Sequence, residues 1–284
     1  MGASTFANLD ESRSSRTTPP GARVCPAWLD RACIIVPAFD AEHTIGSVVT
    51  DLARAIPERA SAIIVVDDGS RDATGRIARE LGCTVVPSRP AADGTTNGIG
   101  DTMSDRPPVN RGKGAALRAG FEAALARGMS VALTVDADGQ HPADEARRVL
   151  FANAAEASLV LGVRDLVRDG APRANRFSNG ISNHFLSRFA RRPLRDTQCG
   201  LRRYPIRETL ELRAFGQGYD FEAEVLLRAI WSGLDVVEEP IRVLYPEDRT
   251  THFRVGRDVR RIIRTVILAV GERWLRRDGR RGGA

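Results

Sequence analysis

Apolar residues at 32–36 (Ala32, Cys33, Ile34, Ile35, Val36) form an unbroken run that ends at Pro37 and predicts a buried strand. Ile45, Val48, Val49, Leu52 and Ile56 then recur at helical spacing, which predicts a helix over 44–56. A second apolar run, 62–66, leads into Asp67-Asp68-Gly69-Ser70, with a helix expected over about 72–81. Cys83 to Val86 reads as a third short strand. Residues 88–109 break the rhythm: they are rich in Gly, Thr, Asp and Pro and read as a long exposed loop. The pattern then resumes with a helix over about 113–127, a strand at 130–135, a helix over about 142–156 and a strand at 158–163. Further on it predicts helices over about 174–190 and 220–232, a strand at 240–245 and a last helix over about 256–277. Buried-type strands alternating with helices imply an α/β fold with a mainly parallel sheet. Sites in such sheets lie at the carboxyl ends of the strands, where Pro37, Asp68 and Asp136 fall.

Length and composition narrow the picture. The 284 residues suffice for one large α/β domain or two small ones. An apolar fraction of 42% with 27% charged residues excludes a fibrous or wholly disordered chain. Residues 1–30, rich in Ser, Thr, Arg and Pro, read as a disordered leader. The folded domain is expected over 31–254, and 255–284 as a basic amphipathic helix and tail. In that helix Val255, Val259, Ile262, Ile263, Val266, Ile267, Val270 and Trp274 are expected to share one face, with arginines supplying the rest. No apolar run approaches the ~18–20 residues needed to span a bilayer, and no signal-peptide pattern opens the chain. Cys25, Cys33, Cys83 and Cys199 have neither CxxC spacing nor a His cluster beside them, so a reducing, cytoplasmic setting is expected.

Charge is uneven. Residues 1–150 carry 17 basic and 19 acidic side chains, and residues 151–284 carry 25 and 17. The basic second half calls for an anionic partner. Aromatics make up only 6%, and no recognition motif is present, so nucleic acid is not the expected partner. Arginine outnumbers lysine 41 to one, and the lone lysine, Lys113, stands in Asn110-Arg111-Gly112-Lys113-Gly114.

Three motifs carry candidate chemistry. Asp136 and Asp138, one residue apart at a strand end, can hold one hard divalent cation, Mg²⁺ or Mn²⁺, with Gln140 as a further oxygen ligand. The plainer reading is a turn that caps the next helix. Asp68 can accept hydrogen bonds from a base or ribose, with Gly69 making the tight turn. The glycines around Lys113 let backbone amides approach a phosphate at a helix N-terminus, with Lys113 as a point charge on a diphosphate. This is not a Walker loop, because GxxxxGK[ST] is absent.

Taken in order, Val36-Pro37-Ala38-Phe39-Asp40, Asp67-Asp68-Gly69-Ser70, Asn110-Arg111-Gly112-Lys113-Gly114 and Asp136-Ala137-Asp138-Gly139-Gln140-His141 resemble the motifs of family 2 glycosyltransferases. Asp196-Thr197-Gln198-Cys199-Gly200-Leu201-Arg202, Tyr219-Asp220-Phe221-Glu222-Ala223-Glu224 and Pro240-Ile241-Arg242 resemble the dolichyl/polyprenyl-phosphate mannosyltransferase branch. The resemblance implies a GT-A nucleotide-sugar fold, Rossmann-like, and an inverting transfer dependent on Mg²⁺ or Mn²⁺. It implies donor-nucleotide contacts from Pro37, Ala38, Asp40, Asp68, Lys113 and Asp136, and metal ligation by Asp136, Asp138 and Gln140. Phe39-Asp40-Ala41 departs from the family's usual Tyr-Asn-Glu.

The expected donor is GDP-mannose or UDP-glucose and the expected acceptor a polyprenyl phosphate, at the cytoplasmic face of a membrane with peripheral contact. A phosphate acceptor attacks without a protein base and needs cations, for which Arg164, Arg173, Arg176 and Arg202 are candidates. A hydroxyl acceptor, the rival, needs a carboxylate base, for which Asp196 and Glu222 are candidates. Asp138, Asp196, Glu222 and Arg202 are the expected catalytic set. A sugar-nucleotide sensor without catalysis is a further alternative.

Overall fold

A strand that is apolar along its whole length can be covered on both faces, and β1 (Ala32–Ala38) takes that central place. The computed structural model describes residues 25–88, 109–245 and 255–278, with side chains of 260–275 in the last segment. β1 pairs in parallel with β2 (Ile63–Asp67) on one side and β4 (Val131–Thr134) on the other. β3 (Thr84–Pro87) extends the sheet beyond β2. Past β4 come β6 (Arg202–Pro205), β5 (Leu159–Arg164) and β7 (Val236–Ile241), which completes the seven-stranded order β3-β2-β1-β4-β6-β5-β7. Only β6 is antiparallel to its neighbours among the described pairings. The expected mainly parallel α/β sheet is therefore present.

Strand residues alternate between two apolar layers, as the period of two requires. Ile34 and Val36 face α1 (Ile45–Ala55), α2 (Thr74–Glu80) and α4 (Ala143–Leu150). Cys33 and Ile35 face the layer built from α3 (Lys113–Leu125), α5 (Arg173–Ala190), α6 (Ile206–Glu211), α7 (Asp220–Ser232) and α8 (Val255–Asp278). Each fully buried Ile, Val or Leu contributes roughly 1.5–3 kcal/mol of transfer free energy.

The structure departs from the sequence-based expectations at several places. β6 and α6 fall where no element was expected. The β6 strand reads Arg-Arg-Tyr-Pro yet is buried along its length. Backbone carbonyls accept from both guanidinium groups, and Arg203 Nε is buried without a hydrogen-bond partner among the described residues. Arg203 donates to Leu150 O, Ala152 O, Ala154 O and Ala155 O. These carbonyls lie at and just beyond the end of α4, which stops at Leu150 instead of running to about 156. Burial pushes the Arg203 guanidinium down to about 10. β7 lies over Val236–Ile241 rather than 240–245, with Glu238 and Glu239 bonded to Arg195 and Arg148. Pro240 is tolerated there because the strand is at the sheet edge.

Packing reaches back into the expected leader, while the last helix starts at Val255, where the final segment was expected. Leu29 is buried and Arg203 stacks over the Trp28 ring at 4.9 Å, so the ordered domain begins before residue 31. The rest of the leader, most of the 88–109 loop, residues 246–254 and the final tail lie outside the described residues. The one-faced pattern expected for α8 is divided. Ile262, Thr265, Val266 and Ala269 are buried against α7 and α5, while Ile267 and Trp274 are exposed. Among the described residues no helix is long and apolar enough to cross a membrane.

Candidate active site

The site starts from three parallel strand ends. Ala38 of β1 is in register with Asp67 of β2, and Val135 N donates to Ile35 O at the end of β4. Chain reversal after β2 uses Gly69 with a φ of 80°, and it turns the Asp68 carboxylate onto a distant segment. Asp68 accepts the backbone N–H groups of Arg111 (3.0 Å) and Gly112 (2.7 Å). Burial pushes its carboxyl up, against the hydrogen bonds it receives.

Asp68 thereby fixes the turn that begins α3. Gly112 has a φ of 96°, and a Cβ there would lie 2.7 Å from Gln217 O. Ala115 N donates to the same carbonyl at 3.1 Å. Lys113 is thus held between the β2 turn and the segment before α7. Its Nζ lies 2.6 Å from Asp136 Oδ1 and 3.1 Å from Glu222 Oε2, and 5.6 Å from the centre of the Tyr219 ring. Burial alone would discharge this ammonium, but Asp136 and Glu222 outweigh burial and keep it charged. Gly200 closes the cluster from above: a Cβ there would overlap Asp136 Oδ2 and Lys113 Nζ.

Asp138 is the unneutralised member. Its Oδ1 accepts Gln140 N at 3.0 Å and its Oδ2 accepts Gln140 Nε2 at 2.7 Å. Burial first, and the charge of Asp136 second, push its carboxyl up to about 6. Asp136 goes the other way: burial would raise it, but Lys113 and His141 hold it below the usual carboxylate range. Burial depresses His141 to about 4, so the imidazole is neutral near pH 7. Its Nδ1 is buried and has no hydrogen-bond partner among the described residues.

Across the pocket stands a closed pair. Arg164, at the end of β5, donates from Nε to Asp196 Oδ2 (2.6 Å) and from Nη2 to Asp196 Oδ1 (3.0 Å). The carboxylate also accepts Arg164 N and Gln198 N. Burial would raise the Asp196 carboxyl, but Arg164 and these amides hold it low. Leu166, Asn175 of α5, Gln198 and Ile262 of α8 complete the pocket wall.

The structure gathers Lys113, Asp136, Asp138, Gln140, Arg164 and Glu222 into this one pocket. It does not bring in the rest. Asp196 lies behind Arg164, fully engaged by it, and is a poor base. Arg202 is completely buried and donates to Cys199 O, Thr197 O and Glu222 O, so it braces backbone rather than facing an acceptor. Arg173 and Arg176, in the first turn of α5, flank Asn175 but do not line the wall. Pro37, Ala38, Asp40 and Asp68 lie along the neighbouring strand ends, outside that wall. Asp40, with a φ of 46°, accepts Arg71 N at 2.8 Å. Tyr219, Gln198, Gly200 and His141 are wall residues that were given no role from sequence. Each lies inside a motif already singled out, which was the available signal.

Three carboxylates, a buried ammonium and a guanidinium on one pocket suit phosphate-bearing substrates that bring a cation with them. Residues 33–92 and 105–207 match the family described as Glycosyl transferase family 2. The chain belongs to that family. This glycosyltransferase is 33% identical to a polyprenol monophosphomannose synthase of Mycolicibacterium smegmatis over 218 residues, covering 74% of this chain and 76% of that protein. It is 29% identical to an undecaprenyl-phosphate mannosyltransferase of Micrococcus luteus over 217 residues, covering 74% and 82%. These relatives bear out the branch expected from the motifs. The crystal structure of glucosyl-3-phosphoglycerate synthase from Mycobacterium tuberculosis, in complex with Mn²⁺, UDP and phosphoglyceric acid, has a TM-score of 0.63 at 22% identity. That likeness covers 84% of this chain and 78% of that one, and it bears out the GT-A fold.

Proposed function

We propose that the enzyme transfers a hexose, with inversion, from GDP-mannose or UDP-glucose to a polyprenyl or dolichyl phosphate at the cytoplasmic face of a membrane. The observation that carries this reading is the opposition, across one pocket, of the Lys113–Asp136–Asp138 cluster and the Arg164 guanidinium. The names of the two lipid-phosphate mannosyltransferase relatives support the acceptor class.

A divalent cation fits the acidic cluster. Lys113 is shared between Asp136 and Glu222, and Asp138 keeps an uncompensated charge beside them. Among the described residues no three His, Cys, Asp or Glu side chains could hold a metal by themselves. Asp136 and Asp138, with Gln140 once its amide oxygen is turned inward, would hold Mg²⁺ or Mn²⁺ whose remaining ligands come from a diphosphate. When bound, that cation supplies charge stabilisation to the departing diphosphate.

The chain's own residues do the remainder. Lys113 places a fixed positive charge beside the diphosphate position. Arg164, oriented by Asp196, presents its remaining N–H groups to the acceptor phosphate. The acceptor phosphate, with a second pKa near ~6, is largely dianionic at pH 7 and needs no base. The engagement of Asp196 by Arg164 agrees with that. One observation favours the rival hydroxyl acceptor: Glu222 Oε1 is buried with no hydrogen-bond partner among the described residues, as a waiting base would be.

The test is transfer of labelled hexose from each donor to a polyprenyl phosphate, with Mn²⁺ and with chelator, in wild type and Glu222→Gln. Lipid-linked product that needs the cation and persists in Glu222→Gln supports the reading. Transfer to hydroxyl acceptors alone, with the fall in rate at low pH abolished in Glu222→Gln, would favour the rival.

A further inference from the structure

We propose that Asp220 and Glu224 are positioning residues for the donor diphosphate, acting through the backbone of residues 215–218 on the turn that carries Lys113. This role rests on the reading above that Lys113 stands beside that diphosphate. It gives α8 a part in donor binding, from behind the pocket.

Residues 215–218 lie in no helix or strand, so their N–H and C=O groups need partners from elsewhere. Two buried carboxylates take the N–H groups. Glu224 accepts Phe215 N and Gly216 N, both at 2.9 Å, and Asp220 Oδ1 accepts Gly218 N at 2.9 Å. The carbonyls go to α3. Arg118 Nη2 donates to Gly216 O at 3.0 Å, and Ala115 N donates to Gln217 O at 3.1 Å. Lys113 is the first residue of that helix, so the segment and the lysine are joined directly.

The same two carboxylates are held from the far side by α8. Thr265 Oγ1 donates to Asp220 Oδ2 at 2.8 Å, and Arg261 Nε lies 3.0 Å from Asp220 Oδ1. Glu224 pairs with Arg228 at 2.6 Å, and Arg228 reaches Glu272 of α8 at 2.6 Å. Asp220 and Glu224 are buried, and a buried carboxylate stripped of its donors is costly. Each carboxylate therefore grips the segment only while its α8 partner is in place.

No side chain cushions the joint. A Cβ at Gly114 would lie 2.5 Å from Phe221 Cβ and 2.8 Å from Gly216 O, and one at Gly218 would lie 3.0 Å from Arg261 Nη1. Packing this close transmits a displacement instead of absorbing it. Nor are the charges required to hold α8 down. Ile262, Val266 and Ala269 already bury an apolar stripe against its neighbours, and apolar residues of similar volume often stabilise as well as a buried ion pair does. What the carboxylates add is direction, because hydrogen bonds fix angle where apolar burial does not.

The experiment is calorimetric titration of GDP and UDP, each with Mn²⁺, into the full chain and into Thr265→Val, Lys113→Met and the double variant. Thr265 does not line the pocket, and valine keeps its shape while removing the hydroxyl. Thr265→Val is expected to weaken binding of the preferred diphosphate by about three- to tenfold. In the Lys113→Met background the same change should matter by less than about twofold, because the group it acts through is gone. Asp220→Ala should weaken binding at least as much as Thr265→Val. Asp220→Asn should recover most of that loss, since its amide still accepts Gly218 N and faces Thr265. A purely structural role lowers the melting temperature and leaves the affinity of the folded enzyme unchanged. That result in Thr265→Val overturns the proposal, as does an equal loss with and without Lys113. Should Asp220→Ala fail to fold, Thr265→Val and its cycle with Lys113→Met decide alone. Wild-type binding in Lys113→Met is a different failure: it sinks the placement of a diphosphate beside Lys113, and this role with it.

Discussion

Lys113 and Arg164 are both buried cations on the wall of one pocket, yet their surroundings differ in one respect. Arg164 has one carboxylate, Asp196, bonded to it in two places, and the pair closes to neutrality. Lys113 is divided between Asp136 and Glu222, with Asp138 left over beside them. The first arrangement is a pillar: it orients one guanidinium and has no charge to exchange. The second has more negative charge than its lysine can balance, which is a poor arrangement for stability and a good one for capturing a cation with its phosphate. Buried charge alone therefore does not mark chemistry; uncompensated buried charge does.

The comparison can be broken most severely at the pillar. Asp196→Ala leaves Arg164 buried with no carboxylate and should destabilise the enzyme by roughly 3–5 kcal/mol, read by guanidinium denaturation. Adding Arg164→Met should restore most of that stability without restoring transfer. If Asp196→Ala is neutral, the pair is not closed as described. Next in size is Asp138→Asn, which removes the surplus charge. It should lower kcat/KM about 100-fold, equivalent to about 2.7 kcal/mol, while the denaturation midpoint scarcely moves. Near-normal rates in that variant would remove the distinction between the two clusters.

The smallest effect is a pH dependence. Asp138 is raised to about 6, so it gains its proton as pH falls through 6. Only the carboxylate holds a cation. Mn²⁺-dependent binding of a nucleoside diphosphate should therefore be constant above about pH 7 and weaken by up to about tenfold per unit below 6. Thermal shift without acceptor isolates this group from the acceptor phosphate, which titrates in the same range. A dependence that survives unchanged in Asp138→Asn would assign it to another residue.

Most of the sheet was legible because its strands are local, apolar and bounded by turn residues. β1 and β2 are runs of Ile and Val that admit few other readings. β6 was not legible, because Arg202 and Arg203 look like surface residues until carbonyls distant in sequence collect around them. The same limit explains the site. Asp136, Asp138 and Lys113 could be read from short motifs because each sits at a strand end or helix start. Asp196 and Arg202 could not be assigned correctly, because their roles depend on which partner tertiary packing delivers. A free carboxylate beside a substrate and one already bonded to arginine look alike in sequence. In α8, periodicity identified the helix and its apolar side chains but not which of them the neighbours would cover, and Ile267 and Trp274 are left exposed.

The Asp220 carboxylate, tied to Thr265 and Arg261 of α8, has a consequence for synthesis. Chains leave the ribosome from the amino end, and their early parts begin to organise first. The strands that lead into Asp68, Asp136 and Asp138 emerge long before α8. Until α8 arrives, the segment that backs the Lys113 turn lacks its clamp. A nascent chain would then carry most of its acidic residues with the seat for their cation still unfinished. Assembly of the candidate pocket is thus a late event in the synthesis of each molecule.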